Sequence, residues 1–143
     1  MKIPSKKQCM NFKTRKIKVR YSETDQMGIV HHSNYLKFFE LARIEWLDDL
    51  GMPYDEIENN NIILPVVKCD IHFLSPLKFG DLFYVIVYCT KQPMSSIEFK
   101  YEICLSKNNK IITRGNTKLA FLNSNSMKPI RCPDIIGDLF LKV

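Results

Sequence analysis

Asp25, His31 and His32 stand within eight residues of one another, just ahead of the strongest helical pattern in the chain. A carboxylate can act as a base or a nucleophile, and an imidazole can orient a water or a partner group. The first turn of a helix adds unpaired N–H groups and a partial positive charge. Brought to one spot, these are the parts of an acyl-transfer site: a base or nucleophile, an orienting group and an oxyanion hole. Asp25 lies about eight residues before the expected cap of the helix, too far for ordinary capping, and Gly28 falls between them.

The elements that must position these residues follow from periodicity. Residues 14–22 alternate Ile17, Val19 and Tyr21 with Lys16, Lys18 and Arg20, the pattern of a half-buried strand. Tyr35, Phe39, Ala42, Trp46 and Leu50 recur at helical spacing, and Leu36 and Leu47 widen that apolar arc, so a mostly buried helix is expected. Ser33 or Asn34 is expected to cap it, and Gly51 with Pro53 to stop it. After a polar stretch at 56–61 the remainder reads as four strands, at 62–74, 82–90, 97–105 and 111–122, with a hairpin turn at 107–110. Short turns require antiparallel neighbours, and the single long helix must cover the apolar face of their sheet. The expected class is α+β: a curved antiparallel sheet of about five strands wrapped around one central helix. Residues 1–13 are expected to be a basic flexible arm and 14–143 a single domain.

Composition excludes several functions. Of 21 Lys and Arg, eight lie in the first twenty residues, which hold no acid, and the rest of the chain carries 13 bases against 15 acids. No basic face interleaved with aromatics is visible, so nucleic acid is not an expected partner. Five cysteines without a close pair fit neither a disulfide framework nor a zinc site, and Cys89 and Cys104 read as buried thiols. No Gly-x-Gly-x-x-Gly loop, Walker loop or Gly-x-Ser-x-Gly elbow is present. No apolar run is long enough to span a bilayer and no secretory signal is visible, so a cytoplasmic protein is expected.

The stretch Thr24-Asp25-x-x-Gly28-Ile29-Val30-x-His32-x-Asn34-Tyr35, followed by a helix bearing Glu40 and Arg43, resembles the hotdog-fold thioesterases of the 4-hydroxybenzoyl-CoA type. It is most similar to the branch of bacterial acyl-CoA thioesterases related to the Tol-Pal-associated enzyme. Pro65-Val66, Phe73, Pro76-Leu77, Gly80-Asp81, Gly115 and Leu119-Ala120-Phe121 extend the likeness over roughly residues 14–123. The resemblance implies a hotdog fold and hydrolysis of acyl-CoA or acyl-carrier thioesters to acid and thiol. It implies Asp25 as general base or nucleophile, His32 as an assisting group, and amides near His31 and His32 as the oxyanion hole. Gly28, His31 and Tyr35 are implied in substrate binding. No cofactor is implied, coenzyme A being part of the substrate, and no metal. Acyl carrier protein is a possible partner class, and a homodimer or homotetramer with sites between subunits is implied. Glu40 and Arg43, three apart, are expected to pair on the helix. Lys91, Lys118, Lys128 and Arg131 are the candidates for CoA phosphates. The rival function is a non-catalytic acyl-CoA or acyl-carrier binding protein; a dehydratase on β-hydroxyacyl thioesters is a third reading, without its usual helix motif.

Overall fold

The computed structural model describes residues 10–140. Strands β1 (Met10–Lys13) and β2 (Ile17–Lys18) lead through a 3-10 turn at Tyr21–Glu23 to helix α1 (Ser33–Asp49). A short helix α2 (Tyr54–Asn59) follows, then β3 (Ile62–Ile63), β4 (Val66–Phe73), β5 (Leu82–Cys89), β6 (Ser96–Leu105), β7 (Ile111–Ala120) and β8 (Leu122–Asn123). Helix α3 (Asp134–Gly137) and a 3-10 turn at Asp138–Phe140 close the described chain.

The main sheet runs β1-β5-β6-β7-β4, with β2 continuing beside β5, and every pairing in it is antiparallel. Its composition explains its two faces. On β6, Ile97, Phe99, Tyr101 and Ile103 are buried while Glu98, Lys100 and Glu102 point the other way. The outward residues tie neighbouring strands together: Tyr88 donates 2.6 Å to Glu102, and Arg114 stands 3.5 Å from the same carboxylate. Helix α1 lies on the inward face. Phe39 stacks on Tyr101 with centroids 4.2 Å apart, Phe38 meets Phe83 at 4.8 Å, and Trp46 meets Phe99 and Phe140 edge-on. A helix whose apolar side is covered by an antiparallel sheet is the α+β hotdog arrangement.

Several details differ from the sequence reading. The expected strand at 14–22 pairs only at Ile17–Lys18, because Glu23 takes the Arg20 amide at 2.8 Å and turns the chain into a 3-10 coil. Met10–Lys13, assigned to the flexible arm, instead pairs with β5; the part of the arm before Met10 lies outside the described residues. The stretch at 62–74 divides into β3 and β4 at Leu64-Pro65, and β3 pairs with β8 in a separate ribbon. Neither Ser33 nor Asn34 caps α1; Asn34 Nδ2 reaches back 2.9 Å to the Glu23 carbonyl. Leu36 is largely exposed and does not widen the buried arc. At the other end Gly51, at φ +82°, ends the helix as expected. The terminal α3 segment was not legible as an element, yet Ile136 and Phe140 seal the core beneath Trp46.

Candidate active site at the start of α1

The chain between the 3-10 turn and α1 is folded by its own hydrogen bonds. Thr24 and Val30 form an antiparallel bridge, and the Asp25 amide donates 2.8 Å to the Ile29 carbonyl. Within that narrow loop the Gly28 amide closes a turn on the Asp25 carbonyl at 3.0 Å. Gly28 sits at φ +77°, a conformation that costs residues with a Cβ. The Asp25 carboxylate accepts 2.8 Å from the Met27 amide, an Asx-type turn that fixes its rotamer. Its second oxygen has no protein partner among the described residues. The Val30 amide bonds to the Leu77 carbonyl, which docks the loop on the chain leading to β5.

Asp25 and His32 line one open hollow of about 370 Å³. Its walls are mostly apolar: Met27, Ile29, Val30, Tyr35, Phe73, Leu74 and Pro76, with Ser75 among them. Such a small set of polar groups in an apolar wall is the usual make-up of a ligand site. Tyr35 is buried, its ring edge-on to Phe73 at 5.0 Å. Burial raises its phenol above the ordinary value, so it stands as a neutral polar wall.

The helix start gives the two histidines different partners, although their rings lie 4.1 Å apart. The His31 amide is spent on the Glu23 carbonyl at 2.8 Å, and the His31 ring turns to the Ser33 hydroxyl, also at 2.8 Å. His31 does not line the hollow, nor does Gly28. The His32 amide has no acceptor among the described residues. The Ser33 amide makes only a long 3.3 Å bond to His31 Nδ1. The unpaired donor at the helix start is therefore His32, not His31. Phe73 and Pro76 carried part of the family likeness, but Leu74 and Ser75 were not singled out. A chain turning at Ser75-Pro76 beside the loop is the signal that could have found them.

Other candidates lie elsewhere. Glu40 and Arg43 form no ion pair; Arg43 donates 3.0 Å to the Tyr101 hydroxyl, which shares a 2.6 Å bond with Thr117. Both line a separate hollow of about 350 Å³ between α1, α2 and the start of β4. Burial raises the Tyr101 phenol. Lys91 and Lys118 line a hollow on the outer face of the sheet, where Lys91 pairs with Glu98 at 3.0 Å. Lys128 and Arg131 are exposed beyond β8. None of these four lines the Asp25 hollow. His72 is exposed, 3.8 Å from Asp70. No helix among the described residues is long and apolar enough to cross a membrane.

Comparison with known proteins agrees with this fold. Residues 19–140 match the profile of the Thioesterase-like superfamily. The 1,4-dihydroxy-2-naphthoyl-CoA hydrolase of Prochlorococcus marinus (strain MIT 9515) is 31% identical over 126 residues, 83% of this chain and 82% of that one. YneP of Bacillus subtilis (strain 168), provisionally named an acyl-CoA thioesterase, is 43% identical over 72 residues, which span 50% of this chain and about half (52%) of that protein. Among solved structures, a DHNA-CoA thioesterase from Staphylococcus aureus superposes with a TM-score of 0.80 at 32% identity, over 85% of this chain and 80% of that one. The chain belongs to the Thioesterase-like superfamily of hotdog-fold thioester hydrolases.

Proposed function

We propose that the protein hydrolyses acyl-CoA thioesters to the free acid and coenzyme A, with Asp25 as the reactive carboxylate. The observation that carries this reading is the shared hollow at the start of α1, where Asp25, with one free carboxylate oxygen, lies alongside His32. As a general base, Asp25 takes a proton from water while the oxygen attacks the thioester carbon. As a nucleophile, it attacks that carbon itself and water cleaves the resulting anhydride. Either way the developing oxyanion is held by the His32 amide at the positive end of α1. On the base route the C–S bond breaks as this oxyanion collapses. On the nucleophile route it breaks as the anhydride forms, before water attacks. In both, the thiolate takes up the proton released from water. The His32 ring orients the water or Asp25. The side chain of this histidine also favours the bacterial branch of the family related to the Tol-Pal-associated enzyme.

The proposed working unit is at least a dimer in the cytoplasm. Strand β5 is apolar on both faces, which fits a partner against the sheet; of its outward residues Tyr84 is buried beneath Lys13, while Leu82 stays exposed and Ile86 and Tyr88 are half-buried. The edge of β4 is the better argument. It pairs with β7 on one side only and exposes Val66, Val67 and Phe73. Two-fold antiparallel pairing of β4 edges sets the Phe73 end of one protomer, at the Asp25 hollow, beside the Val66 end of its partner, at the 350 Å³ hollow. An acyl group could then extend from one into the other.

The test is thiol release from a panel of acyl-CoAs, acetyl to palmitoyl plus benzoyl, with Asp25→Asn beside wild type. Asparagine can still accept from the Met27 amide, so the loop survives. Turnover should fall by at least about 100-fold, the scale of a lost acid–base or nucleophilic group. Near-wild-type release by the variant would remove Asp25 from the mechanism. Tight acyl-CoA binding with no release by wild type would favour the non-catalytic binding protein instead, and acyl carrier protein thioesters would be tried next.

A further inference from the structure

We propose that Tyr21 and Phe79, with Lys18 and Lys78, form the docking site for the adenine nucleotide end of coenzyme A; this rests on the acyl-CoA reading above. The two rings are 78% and 59% exposed and meet edge to face at 5.7 Å. A single exposed aromatic is unremarkable on a protein surface. Two in contact, with Leu82 exposed opposite Lys18 in the strand pairing, make an apolar patch outside the core. Adenine has a flat π-face that stacks on such rings.

The patch lies at the rim of the thioester hollow. Tyr21 precedes Asp25 by four residues, a span of at most about 14 Å of chain. Lys78 is bridged to Ile29, a lining residue of the hollow, and Phe79 follows it directly. The Gly80 amide bonds to the Val19 carbonyl, which holds the Phe79 loop against the strand leading to Tyr21. A nucleotide stacked here is joined to a thioester at Asp25 by the pantetheine arm.

The charges around the rings suit phosphates. The ammonium groups of Lys18 and Lys78 have no ion pair among the described residues. The neighbouring acids are already engaged. Glu23, largely buried, takes the Arg20 amide and stands 3.5 Å from its guanidinium; Asp81 takes the Lys78 amide at 2.9 Å. The Arg20 side chain remains mostly exposed and adds to the positive field. An acidic carrier protein would be drawn by the same charges, but it delivers pantetheine without an adenine and has no need of the stacked rings.

The experiment compares the same acyl group, chosen from the panel, on coenzyme A, on pantetheine and on acyl carrier protein. Tyr21→Ala with Phe79→Ala, and separately Lys18→Glu with Lys78→Glu, are each checked for an unchanged melting curve. The aromatic double variant should lose about tenfold in kcat/KM on the CoA thioester, chiefly through KM, and less than twofold on the pantetheine thioester. Adenosine 3′,5′-bisphosphate, titrated by calorimetry, should bind wild type and fail to bind either double variant. Equal losses on CoA and pantetheine thioesters, or none on either, would overturn the proposal. So would a loss confined to the carrier-protein thioester, which would make the patch a protein dock. If wild type hydrolyses no thioester, the hydrolase reading falls, and the bisphosphate titration alone decides this site.

Discussion

The Phe39 ring lies against the backbone of Gly115: a Cβ at that glycine would come within 2.5 Å of the ring and 3.1 Å of the Asp70 carbonyl. Phe39 is simultaneously stacked on Tyr101 with an interplanar angle of 11°. Helix α1 is thereby seated on β6 and β7 at a fixed depth, and with it the helix start that borders the Asp25 hollow. Gly115→Ala should destabilise the fold by about 1–3 kcal/mol, the usual range for overpacking. Urea unfolding measures this, and a change under about 0.5 kcal/mol would show that α1 can lift without cost. Because the helix carries His32, the variant should also lose turnover.

Gly28 should behave differently. Its positive φ has nothing within 4 Å of the position a Cβ would take, so the penalty is one of backbone conformation alone. For alanine that costs roughly 1–2 kcal/mol. The chain can relieve it by opening the turn between Asp25 and Gly28, which displaces the carboxylate. Gly28→Ala should therefore lower kcat at least about tenfold, because a small displacement of a reacting group is costly. Its melting temperature should fall by only a few degrees. Wild-type kcat in the variant would show that the turn does not aim Asp25.

These two glycines show what the chain disclosed before its fold was known. The long helix was legible because Tyr35, Phe39, Ala42 and Trp46 repeat at 3.6-residue spacing, and strand β6 because Ile97 to Ile103 alternate. The loop of Asp25 and Gly28 was legible as a motif, but its hydrogen bonds were not. That the His31 amide is taken by Glu23 depends on a 3-10 turn with no periodic signature. Arg43 bonding to Tyr101 instead of Glu40 was equally hidden, since local spacing favoured the neighbour and the tertiary contact won. The short α3 segment and the 3-10 turn after it carry one core residue each, Ile136 and Phe140, in too few positions to show a period.

The thiols offer a check that requires no substrate. Cys69 is exposed on β4, whereas Cys89 and Cys104 are buried and Cys132 is half-buried. Burial pushes the Cys132 thiol up to about 11, with Asp134, Cys89 and Asp138 adding to the rise. Cys69→Ser should remove one fast-reacting thiol at pH 8, while Cys132→Ala should leave the fast count unchanged. Linkage gives a second outcome. An unfolded chain ionises this thiol near its ordinary value of 9.0, while the folded chain keeps the proton until about 11. Stability tied to Cys132 is therefore intact below pH 9 and is lost as pH climbs towards 11. Cys132→Ala should flatten the fall in melting temperature over that window; an identical slope would show that the folded thiol titrates normally.

The unpaired edge of β4 decides whether the hollow at Asp25 is completed by a second copy. Residues Val66 to Phe73 are nearly all exposed, and β7 satisfies only one side of the strand. In a lone chain the outward amides of β4 face water and exchange hydrogen at rates close to those of an unprotected strand edge. In an edge-paired dimer they join a continuous ladder and should be protected to the level of central strand β6. Hydrogen–deuterium exchange followed at two protein concentrations separates the cases. Protection that fades on dilution together with thioester turnover would tie catalysis to pairing. Rapid exchange of all outward β4 amides at high concentration, with full turnover, would show that one chain carries a complete site and that the partner's hollow plays no part in holding the acyl group.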